Sequence, residues 1–273
     1  MDRISTVSRT AAHKRKAARP VLKMEYVTVI SVILVLLCWE YFGRQINPIF
    51  ASYPSAIALA FWKLLKSGAL VKAFLESIQP LAAGYFLAVA VGVPLGLLIG
   101  RYRIVEAAIN IYVVAGYSTP LVAIMPLFLL WFGLGFAVKV AIIFTLTVFP
   151  IIINTSDGVK QVPKALIEVG KAFVASQQGI MRKIIIPATI PYIMTGLRLG
   201  IGKAIIAMII AEFFSSISGL GGIIINAGNS FQTANMFVPV VILMLMGVGL
   251  TRLVGWVERK IAPWQQGQIA REE

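Results

Sequence analysis

Three charged residues, Arg198, Lys203 and Glu212, stand inside one long apolar stretch. Ionisable groups in such a setting are costly unless they face a polar cavity or a partner. Their chemistry is electrostatic rather than bond-making. One reading pairs them with other helices. The other has Arg198 or Lys203 offering positive potential to an anion passing through the chain. Arg198 follows Gly196 near one end of the stretch, where its long side chain can also reach the interface. Lys203 is five residues further on and therefore on a different helical face. Glu212 lies beside a glycine-rich turn, Ser216 to Gly222. Tyr117, Phe128, Trp131 and Phe132 are candidates to line a path, with core packing or lipid contact as the plainer use.

Bond-making chemistry finds little support. A phosphate-binding loop needs glycine five residues before its Gly-Lys pair and Ser or Thr after it. Around Gly202-Lys203 those positions hold Leu197 and Ala204. The single histidine, His13, lies in a basic tail. No Cys/His cluster has zinc-ligand spacing, and no histidine is placed to activate a membrane serine. The lone Cys38 excludes an internal disulfide and sits in an apolar run as a packing residue.

The elements that must carry these groups are membrane helices. The chain is 59% hydrophobic and 13% charged over 273 residues, where a soluble domain carries about 25% charged. Several windows reach the roughly 20 apolar residues needed to cross the hydrocarbon layer. Six spans are predicted: about Tyr26–Phe42, Phe74–Ile99, Val105–Gly133, Val138–Ile153, Tyr192–Phe214 and Val238–Val257. Pro120 and Pro126 interrupt the third, which predicts a kink or two half-helices. Ser55–Leu65 is amphipathic, with Ile57, Phe61, Trp62 and Leu65 on one side, and reads as an interfacial helix. The first apolar run is long and lacks a cleavage site, so it is not a removable signal.

The net charge of +14 is placed as topology signals rather than as a nucleic-acid surface. Lys and Arg number eighteen in the segments assigned to the inside and five in those assigned to the outside. That bias puts both termini, and residues 155–190, in the cytoplasm. The expected organisation is a basic cytoplasmic tail (1–22), a membrane domain (23–260) with a cytoplasmic loop at 157–190, and a short tail (261–273). In the second span Gly84, Ala88, Gly92, Gly96 and Gly100 recur every four residues. Small residues at that spacing form a smooth ridge that another helix can approach closely, either for packing inside the chain or as an interface that slides.

The loop at 163–187, PKALIEVGKAFVASQQGIMRKIIIP, is longer than two spans need. Ala165, Leu166, Val169, Ala172 and Phe173 share one helical face, and Lys164, Glu168 and Lys171 another. Glu168 is spaced to pair with either lysine. Pro163 suits a first turn, Ser176 to Gly179 should break the helix, and Pro187 and Pro191 mark entry to the fifth span. Two uses are open: a loop lying on anionic headgroups, or a helix docked in a groove of a soluble partner.

Residues 163–187 resemble the cytoplasmic loop of ABC-importer permeases, which reads E-A-A, three residues, G, nine residues, I-x-L-P. Glu168 takes the acid position, and Ile184, Ile186 and Pro187 the closing ones. Val169 and Gly170 replace the two alanines and Val174 replaces the glycine. Leu127–Gly135 (LFLLWFGLG), Thr195–Arg198 (TGLR), Ala211-Glu212 and Gly219-Leu220-Gly221 resemble, in order, the pattern of the sulfonate, taurine and nitrate-type permeases. The resemblance covers about residues 50–257.

The resemblance implies an all-α bundle of six transmembrane helices with an amphipathic cytoplasmic coupling helix between the fourth and fifth. It implies a transport subunit rather than an enzyme, in a bacterial inner membrane. This chain would bind no cofactor, and ATP and Mg would belong to a separate ATPase present in two copies. Glu168, Val169, Gly170, Lys171, Phe173, Val174, Ile184 and Pro187 are then the ATPase-coupling positions. A second permease copy and an extracytoplasmic solute-binding protein complete the assembly. The solute would be small and anionic, with vitamin precursors such as pyrimidines or riboflavin as the alternative. A valine at 174 disfavours the positive φ that glycine allows, so either the helix runs on to Ser176 or the partner groove differs. Rival readings are a transporter that needs no ATPase and an intramembrane enzyme, which lacks a nucleophile-base set.

Overall fold

The computed structural model describes residues 24–215 and 217–263, and every regular element among them is helical. His13 and the predicted 1–22 tail, with most of the C-terminal tail, lie outside the described residues. In chain order the helices are α1 (Met24–Gln45), α2 (Pro54–Lys66), α3 (Ala69–Arg101), α4 (Arg103–Ser118), α5 (Leu121–Phe132) and α6 (Phe136–Lys160). Then come α7 (Lys164–Ala172), α8 (Gln177–Ile180), a π-helical turn (Met181–Ile185), α9 (Ile186–Ser215), α10 (Gly219–Asn229) and α11 (Thr233–Ile261).

Five helical stretches are long and apolar enough to cross a membrane, and the pair α4 and α5, bent by 102°, makes a sixth if taken as one span. The bend falls at Thr119-Pro120, where a residue preceding proline is pushed out of the helical region; Thr119 has ψ of 127°. Of the two forms expected for the third span, the structure therefore has two half-helices. The glycine-rich turn is shorter than the sequence implies, because α10 already begins at Gly219.

The core is built around α6, the most buried of the spans. Its long neighbour α3 runs parallel to it. Gly84, Gly92, Gly96 and Gly100 meet Ile143, Ile151, Thr155 and Val159 in turn, each 59 positions further along the chain. A Cβ at Gly96 would lie 2.6 Å from Thr155 Cβ and 2.7 Å from the Ile152 carbonyl oxygen. The small-residue ridge, with Ala88 fully buried in it, is thus used inside the chain to bring two backbones together. On its other side α6 meets α9 in antiparallel fashion, with Gly158 against Tyr192, Gly196 against Asn154 and Gly200 against Ile151 and Thr147.

α2 packs through Ile57 and Ala60 against Leu70, Ala73, Leu220 and Val238. Phe61 and Trp62, on the apolar side of the expected interfacial helix, are exposed, with Lys66 Nζ 5.3 Å from the Trp62 ring. α1 is held at its C-terminal end. Glu40 accepts from the Ser55 N–H (3.0 Å) and hydroxyl (2.7 Å), while Trp39 donates to the Ser52 carbonyl at 2.9 Å.

Candidate functional site

α7 is nine residues long, and its apolar side chains repeat at helical spacing. It seats on the rest of the chain by a narrow edge: Gly170 is buried, and a Cβ there would sit 2.8 Å from Ile184 Cδ1 and 3.3 Å from Ile180 Cγ1. Ile167 joins a small core with Val159, Val162, Ile180 and Ile185. Gly170 and Ile184, two of the expected coupling positions, are therefore in contact across the loop. The wider apolar face looks outward: Leu166 and Val169 are about half exposed, Phe173 is 83% and Val174 90% exposed. Among the described residues no ion pair joins Glu168 to Lys164 or Lys171; all three side chains extend into the open.

The helix ends at Ala172 rather than running on to Ser176. Val174 takes φ of +53°, the left-handed conformation usually given to glycine. The Ala175 N–H then reaches the Gly170 carbonyl (3.0 Å) and the Val174 N–H reaches the Lys171 carbonyl (2.9 Å). These two bonds close the helix end by satisfying carbonyls that would otherwise be orphaned. The valine keeps the glycine's turn at a steric cost of about 1–2 kcal/mol.

The second half of the loop is not a separate stretch. Ser176 caps α8 by accepting the Gly179 N–H at 3.1 Å, and the helix continues from Gln177 to Ser215 without a break. The π turn falls directly before Ile186-Pro187. Proline lacks an N–H and its ring crowds the carbonyl four residues back; a wider turn there relieves both. Two polar links tie the rod to the spans, and a third joins α6 to α4. Arg101 donates to Gln177 at 2.7 Å, Lys160 pairs with Glu106 at 2.7 Å, and the Tyr192 hydroxyl donates to Gln161 at 2.5 Å. α7 thus shares a small core with α3, α6 and the rod, and these bonds join α3 and α6 to the rod and α4 to α6.

The outward face of α9 carries Thr195, Leu199, Gly202 and Ile206, with Arg198 on one flank and Lys203 on the other, all exposed. Lys203 Nζ lies 5.9 Å from the ring centre of Tyr117 at the end of α4, a cation–π geometry. These two residues, far apart in sequence, share one open face. Glu106, Asn110 and Ser118 line an open recess of about 550 Å³ along α4. Arg198 turns the other way and pairs with Glu258 of α11 at 2.6 Å. Phe128 is buried and packs 6.0 Å from Trp131 and Phe132, so its place is the core.

Glu212 is completely buried. It accepts from the Ser77 hydroxyl (2.5 Å) and the Gly221 N–H (2.7 Å). Ser77 in turn accepts from the Leu220 N–H at 2.9 Å, and Glu76 accepts from the Gly219 N–H at 3.0 Å. Lys139, counted in the sequence as an outside cation, is buried and donates to the Ser218 hydroxyl at 2.7 Å. Gly219 has φ of +69°, and a Cβ there would fall 2.2 Å from Glu212 Oε1. In this structure Glu212 lines no open path; it binds α3 and α9 to the start of α10. The sequence reading missed Glu76, Ser77, Lys139 and Ser218. The available signal was the pairing of a buried acid with a glycine run whose N–H groups need an acceptor.

A family model described as binding-protein-dependent transport system inner membrane component matches residues 92–263. A Methanocaldococcus jannaschii protein assigned as an ABC transporter permease is 34% identical, over 93% of this chain and 98% of its own. The riboflavin transport system permease protein of Chloroflexus aurantiacus is 30% identical over 86% of this chain and 89% of its own. The nitrate import permease protein of Leptolyngbya laminosa is 32% identical over 70% and 68%. In three dimensions the chain is similar to one from an inward-facing methionine ABC transporter, with a TM-score of 0.56 at 20% identity over 68% of this chain and 93% of that one. The helical bundle, the loop with its two motif halves in contact, and these likenesses together place the chain in the family of binding-protein-dependent transport system inner membrane components, the ABC transporter permeases.

Proposed function

We propose that this permease imports a small anionic solute by alternating access, driven by a separate ATPase that docks on α7. The observation that carries the docking is the bare apolar face of Leu166, Val169, Phe173 and Val174. An exposed patch of this kind marks a protein or membrane contact, and an amphipathic helix laid in a groove is a recurring mode of recognition. The coupling residues divide by task. Phe173, Val174 and Val169 meet the partner, Glu168 and Lys171 form its polar rim, and Gly170, Ile184 and Pro187 transmit motion to α9. ATP and Mg are held by the partner, in two copies.

Lys203 beside Tyr117 supports the anionic solute: it is a cation on an open face of a membrane helix, a position that calls for a polar path or a second subunit. The recess along α4 adds polar groups to the same requirement. We assign that face to the contact with a second, identical copy, the solute passing between them after delivery by a solute-binding protein. The charge bias supports a bacterial inner-membrane orientation with both termini and α7 on the cytoplasmic side. The nitrate and riboflavin relatives name different solutes, so a vitamin precursor is the second reading, and Lys203 favours the anion.

Affinity purification of the tagged chain from native membranes tests the docking. A phosphate-loop ATPase is expected with the wild type and should be lost with Phe173→Asp, while both chains stay monodisperse. Wild-type chain that captures no ATPase in any mild detergent, yet transports solute alone in liposomes, would mean a self-sufficient transporter.

A further inference from the structure

On the side of α9 away from Lys203, Arg198, Arg252 and Arg259 line one open pocket of about 430 Å³ with Thr251 and Gly255. Arg252 and Arg259 are seven residues apart and lie on one face of α11. Glu258 holds Arg198 at the pocket at 2.6 Å, leaving two guanidinium groups without an acid partner among the described residues. Guanidinium groups match phosphate oxygens in bidentate fashion. The pocket therefore calls for a phosphate-bearing anion.

Its position identifies the bearer. α11 has 29 residues and is about 43 Å long, against about 30 Å of hydrocarbon. Arg259 lies two residues beyond Val257, where the sixth span is expected to end, and Arg252 about 7 Å inside it, within reach of the headgroups for a long basic side chain. Trp256 is exposed on the same side, with Lys260 Nζ 3.9 Å from its ring, the amphipathic pairing found at headgroup level. One and two turns further into the membrane, Val248 and Leu245 are bare on the same stripe of α11. A basic pocket capping an apolar stripe fits a headgroup above its acyl chains, not a free anion.

We propose that Arg198, Arg252 and Arg259 form a site for an anionic phospholipid, which seats α11 against α9 at the membrane boundary. The site is separate from the solute face, and it stands or falls independently of the solute assignment.

Native mass spectrometry of the purified full-length chain tests this, with phosphatidylglycerol and phosphatidylcholine added at equal concentration. Phosphatidylglycerol should be retained preferentially. The double variant Arg252→Gln/Arg259→Gln should weaken that retention roughly thirtyfold, from about 1 kcal/mol per basic residue near an anionic surface. Gly255→Leu, which keeps every charge but fills the pocket, should weaken it too, and serves where the double variant misfolds. Lys63→Gln/Lys66→Gln, at the other end of the bundle, should leave it intact. Equal retention of both lipids, or undiminished retention in Gly255→Leu, overturns the proposal. Displacement of the lipid by millimolar phosphate or sulfate overturns it as well, and marks a small-anion site.

Discussion

The Ser77 hydroxyl donates to Glu212 across 2.5 Å, linking helices that are 135 residues apart in sequence. The same oxygen accepts the Leu220 N–H at 2.9 Å, and the other Glu212 oxygen accepts the Gly221 N–H at 2.7 Å. With Glu76 accepting the Gly219 N–H at 3.0 Å, two carboxylates and one serine satisfy the first turn of α10 from two different spans. A helix start needs such acceptors because its first N–H groups have no partner within the helix.

Glu212→Ala should therefore be strongly destabilising. It strips the acceptor from the Gly221 N–H and from Ser77 in a buried site, a loss of about 3 kcal/mol. Ser77→Ala, which leaves the carboxylate one donor, the Gly221 N–H, should lose about half as much, and the two changes together should cost less than their sum. Thermal midpoints of the purified single and double variants measure this. Fully additive losses would mean that the two residues act separately.

Glycine positions separate by what surrounds them. Gly96→Ala forces a Cβ to within 2.7 Å of the Ile152 carbonyl oxygen, which is backbone and cannot yield. A loss of about 1–3 kcal/mol follows from overpacking. Gly202→Ala, on the open face of α9, meets nothing within 4 Å and should hold or slightly raise stability, since alanine favours helix over glycine by about 1 kcal/mol. Parallel melting curves give the contrast. Equal destabilisation by the two would contradict the parallel packing of α3 on α6.

Val174→Gly should stabilise the end of α7 by about 1 kcal/mol, since it removes the left-handed strain of a β-branched residue. Hydrogen exchange of the Val174 and Ala175 amides in α7's closing turn should slow. The same change trims an exposed apolar group from the proposed docking face, so ATPase affinity should fall modestly while the turn tightens. Faster exchange in the glycine variant would mean that the valine's conformation is not strained.

Lys203→Gln should leave folding unchanged, because the side chain is exposed and its described partner is the Tyr117 ring. Transport of an anionic solute in reconstituted vesicles should show a KM raised about tenfold, the loss of roughly 1.4 kcal/mol of attraction. Lys203→Arg should restore much of it. An unchanged KM in both variants would remove the cation from the solute path and favour a neutral solute.

What the sequence determined by itself is local. Hydropathy fixed the spans to within a few residues at most ends, because the membrane demands that every backbone group be satisfied within the helix. The small-residue repeat of α3 announced a close approach, and Pro120 announced the break between α4 and α5. The amphipathic pattern of α7 was readable because a nine-residue helix carries its own period. Only the tertiary structure decided the partners. Periodicity says that Gly84 to Gly100 form a ridge, but not that α6 is what lies on it. It says that Glu212 is a membrane carboxylate, but not that Ser77 and the Gly221 N–H await it. Most of all, the direction in which α7 faces was not legible. Its apolar side would ordinarily turn inward, yet Gly170 lets Ile184 so close that the narrow edge is buried and the wide face is left bare. A contact between residues fourteen apart, across a turn held by a left-handed valine, has no signature in hydropathy. It arises from shape, which exists only once the chain has folded.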